Sequence, residues 1–289
     1  MKKIVLVNMG GARSEKELKE FLFNMFLDKR IIPSNIRYIL APLIANLRYK
    51  KVWKNYQKIG ESRIYDLTYN LIKKMKKYSN YDITLAMRYT KPYIESIEDN
   101  SIVIPLYPHF SYTTYESVKD KLKNKNVLVA KPFFDNIEYN KIIANKINQI
   151  DKDFHLIFSA HGLPEKLVKK FNDPYKSQIE SQINILKPML KNFKSISLAF
   201  QSRFGFSKWL TPYLSEELKK YKNEKVAIYP ISFMIDNSET DLELKIEYKN
   251  LAKQIGIKEF KVIECPNDSD KIAKFLIKVA DEINTSNSL

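Results

Sequence analysis

Eight short apolar runs, each without a clean polar alternation, constrain this chain more than any other feature. They are Ile4–Asn8, Ile83–Met87, Ile102–Leu106, Val127–Ala130, Phe154–Phe158, Ile196–Phe200, Val226–Tyr229 and Phe260–Ile263. A strand with one wet face alternates apolar and polar residues. A near-continuous apolar run is a strand covered on both faces, which is the signature of a parallel sheet between helices. The segments between the runs, among them Glu15–Phe26, Ile64–Lys77, Ile137–Ile147 and Tyr175–Leu190, carry apolar residues at helical spacing. Strand–helix alternation of this kind specifies an α/β fold with two similar Rossmann-like domains, each a four-stranded parallel sheet flanked by helices. The halves echo each other: Thr84–Ile97 and Ser197–Leu210 both run strand, Arg-bearing loop, helix. The expected domains are 1–150 and 151–266, with a last helix in 267–289 packing back on the first.

Composition narrows the function. With 289 residues the chain has material for two cores. Lys+Arg exceed Asp+Glu by 49 to 33, a net charge of +16, so the surface attracts anions. The lysines are dispersed, with no basic stripe interleaved with stacking aromatics, and nucleic-acid binding is not expected. Cys265 is the single cysteine, which excludes an internal disulfide and cysteine-based zinc or iron–sulfur sites. The opening "MKKIVLVNMGG" is too short for a signal-peptide core, and no run reaches the ~18 apolar residues of a membrane span. A cytoplasmic protein is expected, with peripheral contact to the inner membrane.

In open parallel sheets ligands bind beyond the carboxyl ends of the strands. That rule selects Met9–Gly11, Arg88–Tyr89, Tyr107–Thr114, Ser159–Pro164, Gln201–Trp209 and Ile231–Glu239. His161 ends a strand there, in "SAHGLP". It suits a general base or metal ligand, and equally a hydrogen-bonded loop histidine. His155 lies inside the strand and has a structural role by position; His109 sits in another mouth loop. Glu239, Glu243 and Glu247 are spaced four apart, so a helix stacks them on one face behind an Asn237 or Ser238 cap. Such a ladder could collect a divalent cation or relay protons, or it is a solvated face beside Lys245 and Lys249. No GxGxxG and no P-loop occurs, so nucleotide use has no support.

Taken together, the loops resemble those of the ferrochelatases, nearly over the whole chain. "LVNMGG", "FLFNMFLDKRII", "YPHFSYTT", "SAHGLP", "AFQSRFGFSKWLTPYL" and "PISFMIDNSETDLELKIEY" stand in the family's order. The resemblance implies a class II chelatase fold with its active site in the cleft between the domains. It assigns His161 and Glu239 as facing catalytic groups that also contact the metal, and Glu243 and Glu247 as an acidic row relaying protons or metal. It places Met9 at the macrocycle face, Arg48, Tyr56 and Ser62 at the porphyrin propionates, and Tyr89 and Trp209 in the pocket wall. Met at position 9 favours protoporphyrin over coproporphyrin. Some residues depart from the pattern. Gly60-Glu61-Ser62-Arg63 stands for Gly-Gly-x-Ser-Pro, Asn237 stands where some members have a second histidine, and Ala12 and Phe206 replace common prolines.

The implied activity is insertion of Fe2+ into protoporphyrin IX, giving protohaem and two protons. Protoporphyrin and ferrous iron are thus substrates, with no resident cofactor and no iron–sulfur cluster. A coproporphyrin ferrochelatase, a cobalt chelatase and a non-catalytic porphyrin or haem carrier are the alternatives. The sequence carries no signature of oligomeric state.

Overall fold

The computed structural model describes residues 2–203, 205 and 207–286. In chain order its elements are β1 (Lys3–Asn8), α1 (Glu15–Leu27), α2 (Arg37–Tyr56), α3 (Ile64–Tyr78), β2 (Asp82–Met87), β3 (Ile102–Pro105), α4 (Tyr115–Leu122), β4 (Leu128–Val129), α5 (Ile137–Ile147), β5 (His155–His161), α6 (Glu165–Phe171), α7 (Tyr175–Leu186), β6 (Ser195–Gln201), α8 (Leu214–Glu217), β7 (Lys225–Pro230), a π-helix (Glu239–Tyr248), α9 (Lys249–Ile255), β8 (Glu259–Val262) and α10 (Asp270–Ser286). All eight apolar runs are strands, although the fourth is reduced to the two residues of β4.

The strands form two all-parallel sheets of identical order, β2-β1-β3-β4 and β6-β5-β7-β8. In the first, Val5 lies opposite Thr84 and Val103; in the second, Ile157 lies opposite Ser197 and Ile228. All four residues of β3 are buried, as a strand covered on both faces requires. In each sheet the order reverses once, between β1 and β3 and between β5 and β7. The crevice beyond the strand ends at such a reversal is where this architecture binds ligands.

The chain divides into two compact units. One comprises Met1–Tyr107, Ser111–Pro132 and Asn267–Leu289; the other comprises Pro108–Phe110 and Phe133–Pro266. Val5, Val7, Ala86, Val103, Val118 and Leu122 form a core cluster in the first. Ile157, Ala199, Leu214, Leu218, Val226, Ile228 and Leu244 form its counterpart in the second. The division falls earlier than the expected boundary at residue 150, because α5 packs on α7 and Asn140 Oδ1 accepts a 3.0 Å hydrogen bond from Gln182. The last helix, α10, packs on α3 and β3 of the first unit through Ile272, Ala273, Leu276 and Ala280, all fully buried. Leu276→Ala should therefore destabilise the fold by about 2–5 kcal/mol, read as a lower urea midpoint with unchanged slope.

Helix α2 escapes periodicity because its sequence is apolar on two sides. Ala41 and Ala45 are buried, packing with Ala12, Leu18, Leu22 and Tyr56. On the opposite side Ile39, Leu43 and Leu47 are 69, 50 and 72 % exposed. Pro42 sits inside the helix, where it removes one backbone donor.

Candidate active site

His161 is the last residue of β5, the central strand at the order reversal of the second sheet. Its backbone N–H donates to Ser232 Oγ at 3.0 Å, in the loop after β7. The turn that follows is held against the loop after β6: Gly162 N–H donates to the Gln201 carbonyl (2.8 Å), Leu210 N–H to Leu163 (2.9 Å) and Glu165 N–H to Lys208 (3.0 Å). Trp209 bridges Pro164 in the same strap. A Cβ on Gly162 would lie 2.7 Å from the Gln201 carbonyl oxygen and 3.3 Å from the Trp209 ring. Glycine is required here by close approach. Gly162→Ala should cost about 1–3 kcal/mol of stability and displace His161, measurable as a lower denaturation midpoint together with lost activity.

Glu239 opens the π-helix after β7. Asn237 Oδ1 accepts the Glu239 N–H at 2.8 Å, and Asn237 N–H donates to Thr240 Oγ1 at 3.0 Å. Asn237 therefore acts as the cap, and this is the structural use of the position where some ferrochelatases carry histidine. The expected α-helix is instead wound with i→i+5 bonds. Leu244 is buried within it.

Between them these elements bring His161 Nδ1 to 2.7 Å from Glu239 Oε2. Ser159 Oγ donates to Gln201 Oε1 at 2.6 Å, and Gln201 Nε2 reaches Glu239 Oε2 at 3.4 Å. Ser202, the first residue after β6, touches both carboxylates. Its Oγ is 3.0 Å from Glu239 Oε2 and also bonded to Glu243 Oε2, and its N–H donates to Glu243 Oε1 at 2.8 Å. To do so it holds φ at +66°, a left-handed conformation that costs a non-glycine residue about 1–3 kcal/mol. Ser202 was not among the residues singled out in the sequence. Its signal was a polar pair, Gln201-Ser202, placed directly at a strand's carboxyl end.

The electrostatics follow from this geometry. Burial works against the His161 cation, but the Glu239 charge, its hydrogen bond and Glu243 outweigh it and raise the His161 pKa. Burial likewise opposes the Glu239 anion, yet His161, Ser202 and Gln201 hold its pKa below the ordinary carboxylate value. Facing a carboxylate, His161 Nδ1 carries a proton and donates it to Glu239, whether or not Nε2 is also protonated. Glu243 is pushed up to about 7 by burial and by the Glu239 charge. A hydroxyl has one proton and cannot donate to two carboxylates at once. The Ser202 bonds are satisfied when Glu243 is protonated and donates to Ser202 Oγ, which in turn donates to Glu239. Glu247, farther along, is exposed, so the row runs from enclosed to open.

The remaining residues from the sequence reading divide between the units. Met9, partly buried, follows β1 and donates its N–H to Asn8 Oδ1 at 2.8 Å. Arg48 and Tyr56 are on α2, with Tyr56 buried and stacked on Trp53 at 6.2 Å. Ser62 is buried with its Oγ lacking a hydrogen-bond partner, and a Cβ on Gly11 would lie 2.3 Å from that oxygen. Tyr89 is enclosed and donates its hydroxyl to Asp28 Oδ2 at 2.9 Å, beside the Arg88–Asp28 ion pair. These five belong to the first unit; Trp209 lies with His161 and Glu239 in the second. Ala12 is fully buried, and Phe206 lies outside the described residues. His155 pairs with Ser195 Oγ at 2.7 Å, as its position inside the strand suggested. His109 is buried and stacked on Phe134. Among the described residues no group of three or more His, Cys, Asp or Glu side chains could hold a metal ion: His161 and Glu239 are bonded to each other.

Known proteins share this arrangement of chain. SirB from Bacillus subtilis, solved with Fe3+, is 12% identical with a TM-score of 0.55, covering 98% of this chain and 96% of that one. CbiX, described as the terminal enzyme of sirohaem biosynthesis in denitrifying bacteria, is 10% identical with a TM-score of 0.55, covering 97 and 99%. At such identity they speak for the fold alone. In sequence, a ferrochelatase of Campylobacter concisus is 42% identical, covering 96% of each chain. One from a Nitratiruptor species is 39% identical, covering 96% of this chain and 99% of its own. The sequence model of the family described as Ferrochelatase matches residues 2–283. The chain belongs to the ferrochelatase family.

Proposed function

We propose that the protein inserts Fe2+ into protoporphyrin IX, releasing two protons, and that the His161–Glu239–Ser202–Glu243 chain carries the reaction. The observation that supports this most is the 2.7 Å His161–Glu239 contact continued through Ser202 to a carboxyl with a pKa of about 7. Metalation replaces two pyrrole N–H bonds with Fe–N bonds, so a base must accept protons and the protons must leave. The His161 ring has a second nitrogen, Nε2, besides the one facing Glu239; in the neutral ring it is the proton acceptor. Once Glu243 has released its own proton toward exposed Glu247 and solvent, a proton taken at Nε2 is passed out at Nδ1 to Glu239 and across the Ser202 hydroxyl to the emptied Glu243 carboxylate. Imidazole nitrogen and carboxylate oxygen are also suitable transient ligands for Fe2+, and His161 and Glu239 supply one of each. Met9, Arg48, Tyr56, Ser62, Tyr89 and Trp209 are assigned to the porphyrin: Arg48, Tyr56 and Ser62 toward its propionates, the others toward its ring.

The test is anaerobic incubation with Fe2+ and either protoporphyrin or coproporphyrin, following the absorbance change on metalation. Protoporphyrin should be the faster substrate. Turnover of coproporphyrin alone would reverse the substrate assignment. Porphyrin binding without turnover of either would favour a carrier, which needs the pocket but not the acidic row.

We also assign α2 to peripheral membrane contact. No helix among the described residues is long and apolar enough to cross a membrane. Exposed Ile36, Ile39, Leu43 and Leu47 share one side of α2, and Lys50, Lys51 and Lys54 follow them, the apolar-plus-basic pattern of an interfacial helix. Leu43→Glu/Leu47→Glu should lower co-sedimentation with anionic vesicles by roughly tenfold or more. Undiminished binding would remove the assignment.

A further inference from the structure

The first unit contains a cavity of about 650 Å³ that none of the assignments above uses. The end of α1, the first turn of α2, the residue after β2 and the end of α4 enclose it. Four cationic side chains line it, Lys29, Arg37, Arg88 and Lys121, with three acidic ones, Asp28, Glu95 and Asp120. Each acid is already engaged: Asp28 by Arg88 at 2.7 Å, Glu95 by Lys121 at 2.6 Å, and Asp120 by both Lys29 at 3.0 Å and Arg30 at 2.8 Å. The lining therefore keeps an excess of positive charge.

Two guanidinium groups supply unfilled donors. Arg88 is 9 % exposed; its Nε donates to Ser117 and its Nη2 to Asp28, while Nη1 meets no protein acceptor among the described residues. Arg37 has only neutral acceptors among those residues, Asn35 Oδ1 at 3.2 Å and Tyr38 Oη at 3.0 Å, and lies 4.5 Å over the Tyr38 ring. A buried guanidinium fixed by one carboxylate, lining the same cavity as a second guanidinium with no carboxylate partner among the described residues, suits recognition of a tetrahedral or planar oxyanion by paired N–H donors. We propose that this cavity binds a phosphate group, held by Arg37 and Arg88. The phosphate is either free or the headgroup of an anionic lipid, since Arg37 and Tyr38 also begin the helix whose apolar side is exposed.

The test is binding of inorganic phosphate, and separately of vesicles containing phosphatidic acid, to the full chain and to Arg37→Ala and Lys253→Ala. Lys253 is an exposed cation on α9 in the second unit, outside both the cavity and α2, and controls for the general attraction of a +16 surface. Arg37→Ala should weaken phosphate binding at least tenfold while Lys253→Ala changes it less than twofold. If both arms show this, the site takes phosphate either free or as a headgroup; if only the vesicle arm does, the headgroup is the ligand. Equal loss in the two variants, or binding of sulfate-free wild type no tighter than of Arg37→Ala in both arms, overturns the proposal.

Discussion

Replacing His161 with alanine is expected to slow iron insertion by roughly 10²–10⁴-fold, the range for a positioned proton-transfer group, while porphyrin affinity stays within about threefold. The assignments above place the porphyrin's ring and propionates on other side chains, so only the proton acceptor and first metal contact are lost. The pH behaviour of the wild type provides a second readout. The raised His161 value means that its share of the ion-pair stabilisation is complete below the ordinary imidazole value of 6.5 and is lost as pH rises through the folded value. The lowered Glu239 value means that its share is complete above 4.5 and is lost as pH falls through the folded value. The pair therefore stabilises most between about 4.5 and 6.5, and His161→Ala should flatten that maximum. Solvent reaches both side chains, 34 and 27 % exposed, which keeps the loss below the ~3–5 kcal/mol of a fully buried pair. Absorbance kinetics, porphyrin fluorescence titration and urea denaturation across pH read these outcomes. Near-normal turnover in the variant would sink the role given to His161.

Glu243→Gln is expected to affect rate and stability in opposite directions. With a pKa of about 7, Glu243 is half protonated at neutrality, where a relay group both accepts and gives up protons most readily. The amide cannot, and turnover at neutral pH should fall by roughly 10–100-fold. Stability should move the other way. A carboxyl raised from 4.5 to about 7 favours the folded state below the unfolded value and loses that contribution as pH rises through the folded one. The wild type thus loses up to about 3 kcal/mol from this group between pH 4.5 and 8, and the uncharged amide of the variant removes that loss. Urea midpoints at pH 5 and 8 should diverge between the two proteins, with the variant ahead at pH 8. Parallel pH dependence in both would mean that Glu243 is not the group titrating near neutrality.

The fold was legible because its strands are covered on both faces: runs such as Ile102–Leu106 could only be central parallel strands, and the loops at their ends followed from that. His161 and Glu239 were legible as residue types at those loops, and the family resemblance then paired them. Three things were not legible, each for a physical reason. The π winding of Glu239–Tyr248 leaves the four-residue spacing of its glutamates intact, so nothing in their pattern distinguishes it from an α-helix. Ser202 matters through its backbone angle and N–H as much as its hydroxyl, and neither belongs to the side-chain alphabet. Helix α2 packs two small alanines inward and leaves larger residues in solvent, inverting the usual pattern.

The pairing of α5 with the second unit and α10 with the first has a consequence for how the polypeptide can be divided. Each sheet's final strand is followed by a helix that packs in the other unit. A fragment ending at residue 150 would carry α5 without α7 and would lack α10 altogether. A cut at residue 150 therefore separates each unit from a helix that belongs to it, although both sheets have the same strand order.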